Sequence, residues 1–359
     1  MSQYEIDLRL PIGVWRRAPF IIVGHDFKFL PLGVLADYLQ HGGKQLPRIN
    51  PLVLSKTDSK GLKQDVVFCF VFFYVNDRYE RVMFMTHPID MGSVNHEALE
   101  ALLGELLRIA RLLDCHIVEA ELNDLVEGSV AFPTSLSSIS YDVEAAEMVE
   151  DGLEVFRRDG FNEWAEVECF EHNVKELEGE LRGMTSLQDR VHITQVGKED
   201  YLKLVGRMEE METRSFRLPS WDGSNSATPF NFQIFNDSAY ILRKAPRFGF
   251  LKSLELGFIR FIPNLIEPLK HLRTPHLLLF SNALEEYPYD AAKIVEWGLG
   301  SDNQLFDLLQ KATEAMGKRR IVNIQFANVS SKQTKMKVIL KELGFKLVHR
   351  VKMLRREVD

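Results

Sequence analysis

After Asn95 the apolar positions Leu99, Leu102, Leu103, Leu106, Leu107, Ala110 and Leu113 recur at helical spacing, which predicts a helix with one buried stripe. After Asn303, Leu305, Leu308, Leu309, Ala312 and Met316 predict a second. The most apolar segment, Val66 to Val75, is rich in strand formers and too short to cross a bilayer as a helix, so it reads as a buried strand. With Arg81 to Thr86 it predicts a hairpin around Asn76-Asp77. Further strands are expected at Tyr4 to Leu10, Pro19 to Val23, Val191 to Val196, Ser238 to Arg243, Pro275 to Phe280 and Ala291 to Trp297, with a helix from Lys198 to Met211. Leu30 to Asn50 is punctuated by Pro and Gly, Pro133 to Tyr141 is a Ser-rich loop, and Pro219 to Asn225 has the Gly, Asn and Ser of a turn. The polar, acidic stretch Glu171 to Arg190 reads as a linker.

These elements repeat. Met91-Gly92-Ser93-Val94-Asn95 before the first helix is answered by Leu299-Gly300-Ser301-Asp302-Asn303 before the second. The strands that follow match as well, with Ile117, Val118, Ala120 and Leu122 falling on Ile321, Val322, Ile324 and Phe326. Each copy closes on a helix, a Gly-Phe pair and a strand: Leu153 to Cys169 with Gly160-Phe161, and Lys337 to Met353 with Gly344-Phe345. The order in each copy is hairpin, loop, helix, strand, helix, strand. It predicts an α/β (α+β mixed-sheet) architecture in two domains, residues 1–180 and 190–359, and a length of 359 residues suits that division.

Apolar residues make up 45% and charged residues 26% of the chain, the balance of a globular protein. The start, Met1 to Asp7, has neither the basic stretch nor the apolar run of a signal peptide, so a cytoplasmic location is expected. Cys69, Cys115 and Cys169 are scattered among apolar neighbours and read as buried thiols, with no metal site indicated. A net charge of −7 argues against nucleic acid as a partner. Charge is uneven, however: Lys318 to Asp359 holds 12 Lys and Arg against three acids, while Asp142 to Leu187 holds 14 acids against four bases. Two solvated helix faces would produce this, and so would a need for the second copy to attract a polyanion.

The helix after a Gly-containing loop, and the Gly-Phe pair in Lys341-Glu342-Leu343-Gly344-Phe345-Lys346, resemble the GNAT superfamily of acyl-CoA N-acyltransferases. The resemblance covers the later two thirds of each copy and implies two GNAT-like domains in tandem. It also implies acetyl-CoA or another acyl-CoA as cofactor, and an amine of a small molecule or peptide as acceptor, with no membrane partner.

In that family a loop of Gln or Arg, two residues, Gly, one residue, then Gly or Ala gives backbone N–H groups to the pyrophosphate, because a helix N-terminus carries unpaired donors and partial positive charge. The second copy has Val295-Glu296-Trp297-Gly298-Leu299-Gly300, with both glycines and an apolar residue in the polar place. The resemblance therefore implies cofactor contacts at Trp297, Gly298, Leu299, Gly300, Ser301 and Asn303. Ser301 and Gln304 also form a capping box, which explains Ser301 without a ligand. The first copy has only Gly92, with Asp90 where Gly298 stands. Four residues before the Gly-Phe glycine, where the family carries a proton-donating Tyr, stand Leu340 and Phe156. Glu296 is the leading candidate for general base, His87 with Asp90 is a second pair, and Trp221, Asp222 and Trp297 are candidates for a substrate pocket. Two readings stay open: a tandem acyltransferase whose second copy works, and a degenerate member that binds acyl-CoA or another ligand without turnover. Transfer from aminoacyl-tRNA is disfavoured by the net charge.

Overall fold

A run of β-branched and aromatic residues makes Lys63–Val75 a strand, β5, with Val66, Val67, Cys69 and Val71 buried. It lies between β4 (Asn50–Thr57) and β6 (Arg81–Met85), the hairpin expected around Asn76. The computed structural model describes residues 4–7, 21–23, 27–30, 50–76, 78–85, 88–90, 96–125, 137–139, 152–184, 191–196, 211, 213–216, 238–246, 253–262, 291–301 and 303–358. In chain order the remaining strands of the first half are β1 (Tyr4–Asp7), β2 (Ile21–Val23), β3 (Phe27–Leu30), β7 (Ile89–Asp90), β8 (Ile117–Leu125), β9 (Ser137–Ile139) and β10 (Asn162–Asn173). The second half adds β11 (Val191–Val196), β12 (Thr213–Arg214), β13 (Ser238–Lys244), β14 (Leu254–Ile262), β15 (Ala291–Leu299), β16 (Asn323–Ser330) and β17 (Lys346–Glu357). Helices are α1 (His96–Leu112), α2 (152–158), α3 (Val174–Leu181), α4 (Asn303–Lys318) and α5 (Thr334–Glu342). The predicted stripes of α1 and α4 are buried, apart from Leu113, which lies just past the end of α1 and is exposed.

Both halves share one sheet of 14 strands, ordered along its main path β1-β4-β5-β6-β8-β17-β10-β16-β15-β14-β13-β11. At its centre the halves exchange their last strands. β17 of the second half pairs antiparallel with β8 of the first, and β10 of the first pairs antiparallel with β16 of the second. The exchanged strands are long because each spans two cores. Phe161, just before β10, lies in the first core and Phe170 in the second, whereas Phe345 before β17 lies in the second and Leu354 in the first.

The exchange accounts for part of the uneven charge. Glu168 on β10 sits 3.1 Å from the Lys337 ammonium and 3.6 Å from the Arg350 guanidinium. Glu119 on β8 accepts from Arg355 at 2.8 Å, and Arg356 reaches Asp159 at 3.0 Å. Acidic and basic segments are neighbours across the seam, so these four cations of the basic segment serve one another's half and not a distant polyanion.

Two further expectations change. The segment read as a linker contains the end of β10 and then α3, whose Val174, Leu177 and Leu181 are buried in the second core. Asn173 starts this helix, its side chain accepting from the N–H groups of Lys175 and Glu176. In the strand after the long helix, Val322 precedes the ladder and is half exposed, so the register of the repeat differs there from the sequence match. Strands β3, β4, β7, β12 and β14 were not marked by the pattern, and β9, paired with β2, lies within the stretch read as a Ser-rich loop. The expected strand at Pro275 to Phe280, the loop at Pro219 to Asn225, and the helix at Lys198 to Met211, save Met211 itself, lie outside the described residues.

Both Gly-Phe pairs end their helices in the same way. Gly160 (φ +84°) and Gly344 (φ +77°) adopt left-handed backbone, and the N–H of Phe161 or Phe345 donates to the carbonyl of Phe156 or Leu340. A methyl group at Gly344 would come 3.0 Å from Nε2 of His172, whereas at Gly160 the nearest atom is a flexible Arg356 nitrogen at 3.6 Å. His172 cannot yield easily, since its Nδ1 accepts from the Asn173 N–H at 2.8 Å and its Nε2 lies 3.1 Å from Glu180. Gly160→Ala should therefore cost about 1 kcal/mol and Gly344→Ala about 2–3 kcal/mol. Urea midpoints of the two variants check this, and equal losses would contradict the role given to His172.

Candidate functional site

In each half two parallel strands pair for four residues and then part. β6 and β8 are in register from Val82 opposite Ile117 to Met85 opposite Ala120, and β15 and β16 from Ala291 opposite Asn323 to Ile294 opposite Phe326. The cause is an extra residue at the same place in both copies. Ile294 and Glu296 face the consecutive residues Phe261 and Arg260, which leaves Val295 as a bulge. Met85 and Ile89 face Val71 and Phe68, again with one residue too many on their side. A bulge bends its strand and increases the twist, so β15 runs on to Leu299 and β16 to Ser330 without pairing again. Between them lies a wedge.

The bulge also sets which side chains face the core. Ile294 and Trp297 both point inward, and the Trp297 ring nitrogen donates to the Ala327 carbonyl at 3.1 Å, with Phe326 beside the ring. Leu299 is likewise buried in the core. Glu296 takes the other face, buried, 3.3 Å from the equally buried Arg260 guanidinium that is its cross-strand neighbour.

Gly298 is a strand residue and not part of a loop. β14 pairs with it through Phe258 on one edge and β12 through Arg214 on the other, and an added Cβ would lie 2.7 Å from the Phe258 ring. Only residues 300–302 separate β15 from α4. The first two N–H groups are engaged: the Gly300 N–H reaches the Leu256 carbonyl at 2.9 Å and Gln304 Oε1 at 3.0 Å, and the Ser301 N–H reaches the same Gln304 oxygen at 3.2 Å. Gln304 thus supplies the side-chain half of the expected capping box. Asn303 opens α4 and is exposed. Asp307, one turn on, is buried, and burial pushes its carboxyl up.

The wedge of the second half holds a piece of the chain itself. β14 occupies one edge of β15 at Gly298 and Leu299, so β12, which pairs with the same two residues, occupies the edge facing β16. The Ser215 N–H donates to the Trp297 carbonyl at 2.8 Å, and the Trp297 N–H donates to the Ser215 hydroxyl oxygen at 3.3 Å. On the opposite wall the Phe216 N–H donates to the Asn328 carbonyl at 2.6 Å, where Asn328 itself is buried with φ +60°. The Gln333 amide donates to the Arg214 carbonyl while its own oxygen accepts from the Ser330 N–H. The wedge therefore accommodates one extended, amide-bearing backbone.

Leu340 and Phe156, at the positions expected for a proton-donating Tyr, are wholly buried. Asp90 ends β7, its backbone opposite Val67, while His87, residues 91–95, Trp221 and Asp222 lie outside the described residues. Arg260, Ser215, Asn328 and Gln333 were not singled out by the sequence. Among the described residues no group of acids, His and Cys is placed to hold a metal ion, and no helix is long and apolar enough to cross a membrane.

The sequence matches no protein-family model and no curated protein sequence. Solved structures do resemble it. One is a tandem GNAT protein from the clavulanic acid biosynthesis pathway, solved without AcCoA, at a TM-score of 0.52 and 10% identity over 90% of this chain and 87% of that one. Another is a GCN5-related N-acetyltransferase from Sphaerobacter thermophilus, at a TM-score of 0.51 and 9% identity over 100% and 96% of the two chains.

Proposed function

From its tandem GNAT fold we propose that the protein is an acyl-CoA-dependent N-acyltransferase that works through the wedge of its second half. The acceptor is an amine of a small molecule or peptide, and acetyl-CoA is the simplest donor. The observation that carries this reading is the bulge at Val295 with the parting of β15 from β16, which leaves a slot for an extended amide chain. Acyl-CoA, when bound, supplies the acyl group and a thiolate leaving group. The protein's part is to orient the amine and take its proton, and Glu296, one residue beyond the bulge, is the proposed acceptor. Trp297 and Leu299 shape the slot from the core, Gly298 admits close backbone approach, and Gly300, Ser301 and Asn303 lie where the phosphates would go once Gln304 turns away. The first half, with Asp90 in place of a glycine, is the supporting or acceptor-recognising copy. The two domains are proposed as 1–180 and 190–359.

A second reading, a binding module without turnover, is favoured by buried Leu340 and Phe156 and by the pairing of Glu296 with Arg260. The two separate on one comparison. Glu296→Gln is expected to keep acetyl-CoA binding in calorimetry and to lower acyl transfer to an amine panel at least about 100-fold, the usual scale of a lost general base. Full activity in that variant removes Glu296 from the reaction, and binding without any transfer in the natural protein selects the second reading.

A further inference from the structure

We propose that Thr213–Phe216 is an intrasteric strand: it occupies the slot meant for the arm of an acyl-CoA, and ligand binding in the second half requires it to leave. The proposal rests on the acyl-CoA reading above. It follows from hydrogen bonds on both walls. A strand edge offers each N–H and C=O once in its plane, and on β15 the carbonyl of Trp297 and the edge at Gly298 and Leu299 are taken by Ser215, Arg214 and Thr213. A second extended chain therefore cannot pair at these residues while the first remains. Phe216 closes the other side on Asn328, and its ring lies 5.8 Å from Trp164 of β10, so the plug also touches the exchanged strand of the first half.

What holds this segment is mostly hydrogen bonding that a diamide ligand can reproduce. Arg214 is exposed, Thr213 and Phe216 are half-buried, and the one fully buried side chain, Ser215, is small and polar. Departure consequently exposes little apolar surface, which makes exchange of one extended chain for another feasible. Gln304 acts in the same sense at the end of the slot, since its oxygen sits on the N–H groups of Gly300 and Ser301. Apparent affinity for acyl-CoA is then the intrinsic affinity multiplied by the fraction of molecules with the slot open.

The test combines calorimetry with residue-resolved hydrogen exchange, using acetyl-CoA as the probe. Ser215→Pro removes the N–H donated to Trp297 and the hydroxyl that accepts from it, and is expected to raise acetyl-CoA affinity at least tenfold. Independently of any variant, saturating acetyl-CoA should abolish exchange protection of the Ser215 and Phe216 amides in the natural protein. If acetyl-CoA binds while both amides stay protected, the strand does not compete; the acyl-CoA reading stands and this inference falls. If acetyl-CoA binds neither protein, both fall together.

Discussion

Cut between Met184 and Val191, the chain is expected to give two pieces that do not fold apart and that reassemble when expressed together. The second piece would lack β10 and α3, and with them Phe170, Val174, Leu177 and Leu181 of its core. At roughly 1.5–3 kcal/mol for each fully buried apolar side chain, that loss is about 6–12 kcal/mol, as large as the whole stability of an ordinary domain. Its β16 would also present an open edge from Asn323 to Ser330. The first piece would keep α1 and its stripe but lose β17, so β8 would have an open edge and Leu354 would leave the core. No covalent link is needed for the exchange, since strands pair through space. Co-purification as a one-to-one complex is the expected result; two soluble, monomeric, cooperatively unfolding pieces would show that the exchange is dispensable.

The second large effect is expected at Arg355. Its guanidinium donates from Nε to Glu119 at 2.8 Å and lies over the Trp164 ring at 4.5 Å, so it joins β17 to β8 on one side and to β10 on the other. Glu119 is wholly buried. Arg355→Ala leaves that carboxylate in the interior without its guanidinium, a change that costs about 3–5 kcal/mol. Replacing both residues at once, as Glu119→Leu with Arg355→Met, should recover most of the loss, because two apolar groups need no compensation. Urea unfolding of the three variants measures it. A loss below about 1 kcal/mol for the single variant would place the pair among surface bridges of little consequence.

The repeat was legible because its marks are local: the leucine stripe of α1, the matching stripe of α4, and two glycines whose left-handed backbone no other residue adopts cheaply. The exchange of β10 and β17 was not legible, since pairing partners are chosen in space and an amphipathic strand reads alike in either half of the sheet. Its only trace was charge. The acids of one segment and the bases of the other looked like separate surfaces, and their meaning appears only when Glu168 lies between Lys337 and Arg350. α3 was hidden because Glu176, Glu178 and Glu180 dominate a segment whose three buried positions are few. At the site the glycines suggested a loop, yet glycine also suits a strand whose side-chain position is crowded, as that of Gly298 is by Phe258 and Met211. Nothing in Thr213-Arg214-Ser215-Phe216 announces that it will fill a wedge, because the demand comes from the edges of β15 and β16.

Glu119 and Arg355 meet although 236 residues separate them in the chain. A ribosome releases the first half long before β17 exists, so a nascent chain has β8 finished and its partner not yet made. Closing such distant pairings is slow, and an uncovered strand edge in the meantime invites pairing with the wrong chain. Synthesis that stops before β17 leaves the first half, made earlier, still waiting. The centre of the sheet is thus a checkpoint on translation: the first half becomes native only when the last strand of the second half arrives.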